Sequence, residues 1–132
     1  MDPALVDTIR SVISRHSAVM LAYLYGSQAT GNVGPLSDVD VAVYLNLDDP
    51  RQRFELRLRL MTELCDALSR PDVEVAVLND TARPAFKYHV IADGQLLYEV
   101  EPFRLMVERR ILDEYFDFTI SLERHGLAGV RV

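Results

Sequence analysis

Asp38 and Asp40 stand two residues apart at the head of a β-prone run that continues Val41-Ala42-Val43-Tyr44. Residues i and i+2 of a strand share a face, and a rise of ~3.3 Å per residue puts their Cα atoms about 6–7 Å apart. Two carboxylates held side by side call for a counter-charge, and a divalent cation is the commonest one. Upstream, a second apolar run, Leu21 to Tyr25, stops abruptly at Gly26-Ser27, with ten residues between Ser27 and Asp38. Gly26 permits a close backbone approach or an unusual φ. Ser27 suits the N-cap of a short helical turn over Gln28 to Gly31. A strand that ends this way offers free backbone N–H groups, an arrangement that holds phosphate. Alone, Gly-Ser is also what an ordinary tight turn contains.

A third acid, Glu74, is the only charge inside the run Val73-Glu74-Val75-Ala76-Val77-Leu78. The valines at 73, 75 and 77 fall on one side and Glu74 on the other. This fits an edge strand with one face in water. It equally fits a third carboxylate carried next to Asp38 and Asp40 by strand pairing, and the spacing alone does not choose.

The elements that must position these residues follow from periodicity. Asp2-Pro3 opens a first helix, with Leu5, Ile9, Val12 and Ile13 on its apolar face and His16 near its end in a structural or solvated role. A strand over 20–25 and another over 38–45 follow. Asp48 or Asp49 caps a helix over 51–69, whose predicted buried face is Phe54, Leu58, Met61, Cys65 and Leu68, with Arg51, Arg53, Arg57 and Arg59 mostly on a solvated face, from which one is a candidate to reach a triphosphate. Cys65 reads as a core residue rather than a reactive thiol. After the Glu74 strand, Asn79-Asp80-Thr81 caps a helix over 82–92, a short strand covers 95–99, and a last helix spans 102–124. That helix carries Phe103, Met106, Val107, Ile111, Tyr115, Phe118 and Leu122 at helical spacing, and Gly126 ends it. The tail after it is expected to fray. The order of helices and strands predicts a small α/β fold, one domain over residues 1–132 with a mixed sheet packed by helices.

Composition narrows the function classes. The chain has 132 residues, enough for one domain with a core, and 49% hydrophobic and 26% charged residues, a globular balance. A formal net charge of -6 argues against a nucleic-acid backbone as the main partner. The single cysteine excludes an internal disulfide, which fits a reducing cytoplasm. No window has the length of a membrane span, and the N-terminus mixes acids and bases in a way a signal peptide does not.

Gly26-Ser27 followed by Asp38-Val39-Asp40, with a strand on each side, resembles the signature of the DNA polymerase beta–like nucleotidyltransferase superfamily. The chain length and the surroundings Ser27-Gln28-Ala29-Thr30-Gly31 and Leu36-Ser37-Asp38-Val39-Asp40-Val41-Ala42-Val43 resemble its minimal nucleotidyltransferase branch. Members of that branch act as MntA-type antitoxins paired with HEPT-domain toxins. The resemblance implies that Gly26 and Ser27 hold the triphosphate of ATP, that Asp38 and Asp40 bind two Mg²⁺ ions, and that Glu74 joins them as metal ligand and catalytic base. Glu74 stands where the family usually has aspartate, so the side chain is one methylene longer. The implied activity is Mg²⁺-dependent transfer of AMP from ATP to a tyrosine hydroxyl of a HEPT-type toxin, in a hetero-oligomer with it. Alternatives are an antitoxin that acts by binding with little chemistry, and a transferase for small hydroxylated molecules. The absence of an evident second substrate domain counts against the latter.

Overall fold

A computed structural model describes residues 2–26 and 38–126. The elements are α1 (Pro3–Ser14), β1 (Val19–Tyr25), β2 (Val39–Leu45), α2 (Pro50–Leu68), β3 (Val73–Val77), a short 3-10 turn (Leu78–Asp80), α3 (Pro84–Asp93), β4 (Gln95–Glu99) and α4 (Phe103–Arg124). The four strands form one mixed sheet in the order β3-β2-β1-β4. The β1–β2 and β1–β4 pairs are antiparallel and β2–β3 is parallel. The parallel pair needs a crossover, and α2 supplies it.

Each face of the sheet buries its own cluster. On one face Ala22, Leu24, Val41, Val43, Val75 and Leu97 pack with Ile9 and Ile13 of α1 and Leu60 and Leu64 of α2. On the other, Leu21, Tyr23 and Ala42 pack with Val90 of α3 and with Val107 and Ile111 of α4. The helices start where the sequence places caps for α1 and α2: Asp2 accepts from the Ala4 amide and Asp49 from the Arg51 amide, each with proline next in the chain. Gly126, at φ +68°, follows the last turn of α4.

Three packing expectations change. In α2 the buried residues are Leu56, Leu60 and Leu64; Phe54 and Leu58 are exposed, and Met61, Cys65 and Leu68 are half-buried against the core. Two apolar stripes lie side by side on this helix, and the i, i+4 row of leucines is the one that meets the sheet. In α4 only Val107 and Ile111 are buried, while Leu105, Met106, Phe116 and Ile120 are exposed. The third change concerns Asn79, which does not cap α3. Its side chain accepts from the Leu45 amide at 2.9 Å and donates to the Leu45 carbonyl at 2.9 Å, adding a rung at the last residue of β2, beyond the final β2–β3 pair Val43–Val77. The helix instead begins at Pro84 without a side-chain cap.

Lys87, the only lysine, is also the one charged side chain among the described residues in the buried class. Its Nζ donates to both carboxylate oxygens of Glu114 at 3.0 Å, joining α3 to α4. Removing one partner of a pair like this strands the other charge. Glu114→Ala should lower the unfolding free energy by roughly 1–3 kcal/mol, read as a shift in the urea midpoint, and the double change Lys87→Met, Glu114→Leu should recover most of it.

Candidate functional site

The strand register assembles the acids. Tyr25 at the end of β1 lies opposite Asp40 in the antiparallel pair, and Asp40 lies beside Glu74 in the parallel pair. Tyr25, Asp40 and Glu74 thus form one row across three strands, on the face that also carries Tyr23 and Ala42. The helices on that face, α3 and α4, lie over β1. Asp38 and Glu74 remain exposed and Asp40 is half-buried. Both sequence readings of β3 hold together: it is an edge strand, and its one acid stands next to the pair on β2.

Gly26 is fitted to this row. Its φ is +72°, and a Cβ built there would come within 2.7 Å of Asp40 Oδ2. Only glycine lets the chain turn out of β1 so close to that carboxylate. Ser27 and the turn expected over 28–31 lie outside the described residues, as does the tail beyond Gly126.

The electrostatics carry the mark of crowded acids. The Asp40 carboxyl titrates above its ordinary value because burial disfavours the anion, and because Asp38 and Glu74 add negative charge nearby. Burial, then Asp40 and Glu74, also push the Tyr25 phenol up to about 12, with Arg57 opposing. For Asp40 the sign is clear. A raised folded pKa means that the native state binds more protons than the unfolded chain between the two values, so stability falls as pH rises through that window. Asp40→Asn removes the penalty. With no divalent cation present, it should raise the melting temperature by about 2–4 °C at neutral pH, and the gain should vanish in acid below the unfolded carboxylate range.

Two site residues escaped the sequence reading. Arg57 is not on a solvated face. It reaches around the sheet edge from α2, donates from Nε to the Val75 carbonyl at 2.7 Å, and brings Nη2 to 3.9 Å from Glu74 Oε2. Its neighbour Arg53 is also engaged, with Asp80 at 2.8 Å and the carbonyls of Leu47 and Asp48. Tyr25 was legible only as the last apolar residue of a strand; its edge-on contact with Phe86, at 5.5 Å between ring centroids, fixes it beside Gly26. A cleft of about 500 Å³ opens at the β3 edge, lined among others by Tyr25, Phe54, Arg57, Glu74 and Thr81.

Among the described residues, no group of three or more His, Cys, Asp or Glu side chains is arranged to enclose a metal ion. The donor set nevertheless suits Mg²⁺, which takes one or two carboxylates and completes its shell with waters and substrate phosphates. The raised Asp40 carboxyl marks a place where a cation would relieve repulsion.

A mixed four-stranded sheet with this strand order, packed by helices on both faces, is a nucleotidyltransferase-like fold. The chain belongs to the polymerase beta nucleotidyltransferase family, whose pattern it matches over residues 7–102. Among curated proteins none matches the sequence significantly. Solved structures do match. One chain of a toxin–antitoxin structure with AMP-PNP is 22% identical with a TM-score of 0.73, over 90% of this chain and 93% of that one. A chain from a complex of tri-AMPylated HEPN toxin with MNT antitoxin, from Shewanella oneidensis, is 20% identical with a TM-score of 0.70, over 94% of each chain. A chain of the toxin–antitoxin MntA–HepT is 20% identical with a TM-score of 0.68, over 93% and 94%. No helix among the described residues is long and apolar enough to cross a membrane.

Proposed function

We propose that this chain is a nucleotidyltransferase antitoxin, which transfers AMP from ATP to a tyrosine hydroxyl of a HEPT-type toxin and so neutralises it. The observation that carries the reading is the row Tyr25, Asp40, Glu74 with Gly26 turned against Asp40, in a chain of the nucleotidyltransferase family. The toxin–antitoxin structures of similar fold, one with AMP-PNP and one with an AMPylated toxin, support the choice of nucleotide and partner. In this reading residues 1–132 form one catalytic domain that works in the cytoplasm as a hetero-oligomer with the toxin.

Asp38 and Asp40, with Glu74 beside them, would hold two Mg²⁺ ions. When bound, the metal supplies electrostatic stabilisation of the oxygens around the reacting phosphorus. Gly26 and Ser27 would donate backbone N–H groups to the triphosphate. The acceptor oxygen attacks the α-phosphorus in line, the bond to the bridging oxygen breaks, and pyrophosphate leaves. Glu74 takes the proton from the acceptor hydroxyl. Its exposure leaves it open to an acceptor arriving from solvent.

Incubation with ATP labelled at the α-phosphate, Mg²⁺ and the protein encoded beside this chain tests the reading. Label on a tyrosine of the folded partner is expected; its absence refutes the assignment. A second reading, neutralisation by masking alone, is favoured by the glutamate that replaces the family's usual aspartate and by the Arg57 guanidinium near it. It requires that a chain unable to transfer nucleotide still protects cells in full.

A further inference from the structure

We propose that the cleft along the outer edge of β3 is the acceptor subsite, and that Phe54 selects an aromatic hydroxyl presented there by a partner protein. The inference rests on the nucleotidyl-transfer reading above and adds where, and by what contacts, the acceptor is held. Three observations lead to it.

First, the cleft of about 500 Å³ contains Glu74, the acid assigned to the acceptor's proton, so an acceptor in it meets the base directly. Its volume is in the range of pockets that bury small organic groups. Second, its walls are those an aromatic ring would use. Phe54 stands on one side with 54% of its surface exposed, although phenylalanine is a residue that folding normally buries. Tyr25 and Ala76, on the same sheet face as Glu74, line the same space, and ring–ring contact with Phe54 and Tyr25 favours an aromatic over an aliphatic guest. Among the polar lining residues, Glu74 would accept the phenol's proton, with the Arg57 guanidinium beside that carboxylate; Asp80, held by Arg53, and Thr81 also line the cleft.

Third, the apolar lining continues outward. Leu58, one turn after Phe54 and 45% exposed, extends the strip along α2 away from the cleft. A free small molecule has no use for a strip that leads out of its pocket. A tyrosine projecting from a folded partner does, because the surface around that tyrosine must also be covered. Arg57 meanwhile occupies the Val75 carbonyl on the strand's outer edge, so the partner is received through side chains rather than as an added strand.

The test is steady-state labelling of the co-encoded partner by wild type and by Phe54→Ala. The expected result is a KM for the partner raised about tenfold. The change in kcat should be less than about twofold, and the thermal shift given by Mg²⁺-ATP should be unchanged, because Phe54 makes no contact with nucleotide in this assignment. Phe54→Tyr should retain most of the affinity, and Phe54→Leu should fall between. N-acetyl-tyrosinamide should compete with the partner in wild type and lose its effect in Phe54→Ala, whereas N-acetyl-serinamide should compete with neither. Because Phe54 is exposed, the melting temperature of the free variant should match wild type, and Phe54→Leu keeps the test open if alanine does not. An unchanged KM for the partner overturns the subsite while leaving the transferase reading intact. So does a loss that falls on ATP instead. Failure of wild type to label the partner at all refutes both.

Discussion

A chain with Asp38→Asn and Asp40→Asn should transfer nucleotide at least about 10³-fold more slowly than wild type, because several kcal/mol of transition-state stabilisation depend on the charge that these residues bring to the phosphates. Label incorporated into the partner per minute measures it. The substitution keeps size and hydrogen-bonding capacity, so the fold should persist, and the crowding that raises the Asp40 carboxyl is relieved rather than increased. Two further readouts make the result specific. Mg²⁺ should raise the melting temperature of wild type and leave the double variant unmoved. Partner binding should persist, since neither aspartate lies on the Phe54–Leu58 strip. If the variant still labels the partner at the wild-type rate, the acids do not carry the chemistry. If it labels nothing yet neutralises the toxin completely, masking is the mechanism.

Gly26→Ala should damage activity far more than stability. A non-glycine residue at φ +72° costs about 1–2 kcal/mol of backbone strain, a fall of a few degrees in melting temperature. The added Cβ would meet Asp40 Oδ2 at 2.7 Å, and that atom is the free end of a side chain that can swing away. The fold therefore survives by displacing the carboxylate that the site needs. A shift of about 1 Å in a reacting or positioning group is worth roughly 10²-fold in rate. Labelling by Gly26→Ala should drop by about that factor while its urea midpoint moves only modestly. Equal and small effects on both would mean that the glycine serves the turn alone.

Much of this architecture was legible because local patterns and global packing agree. The pair Asp38 and Asp40, the glycine that ends β1, and the order of strands and helices all follow from residue types and spacing. Glu74 was legible as a candidate, but its place beside Asp40 depends on β2 and β3 being neighbours, which is a long-range pairing with no local signal. Phe54 and Leu58 read as core residues of α2 because their stripe is as apolar as that of Leu56, Leu60 and Leu64. Periodicity tells that a helix has an apolar face; it does not say which of two adjacent stripes meets the sheet and which remains for a partner. Arg57 was hidden for a related reason. A long side chain can carry its charge well away from the face on which its Cα sits, here around a sheet edge to a carbonyl and a carboxylate on another element. Tyr25 left one usable clue: Leu21, Tyr23 and Tyr25 alternate onto one side of the strand that ends at Gly26, which places a phenol at the site's border.

The bond from Arg57 to the Val75 carbonyl has a consequence outside catalysis. An open sheet margin is a template on which a second copy can add its own strand, and repetition of that event is how small β-containing proteins precipitate. Here a charged, bulky guanidinium sits on the middle of the margin. The β3 margin is therefore a poor template for an added strand. The same side chain that borders the chemistry thus also shapes what the β3 edge can pair with.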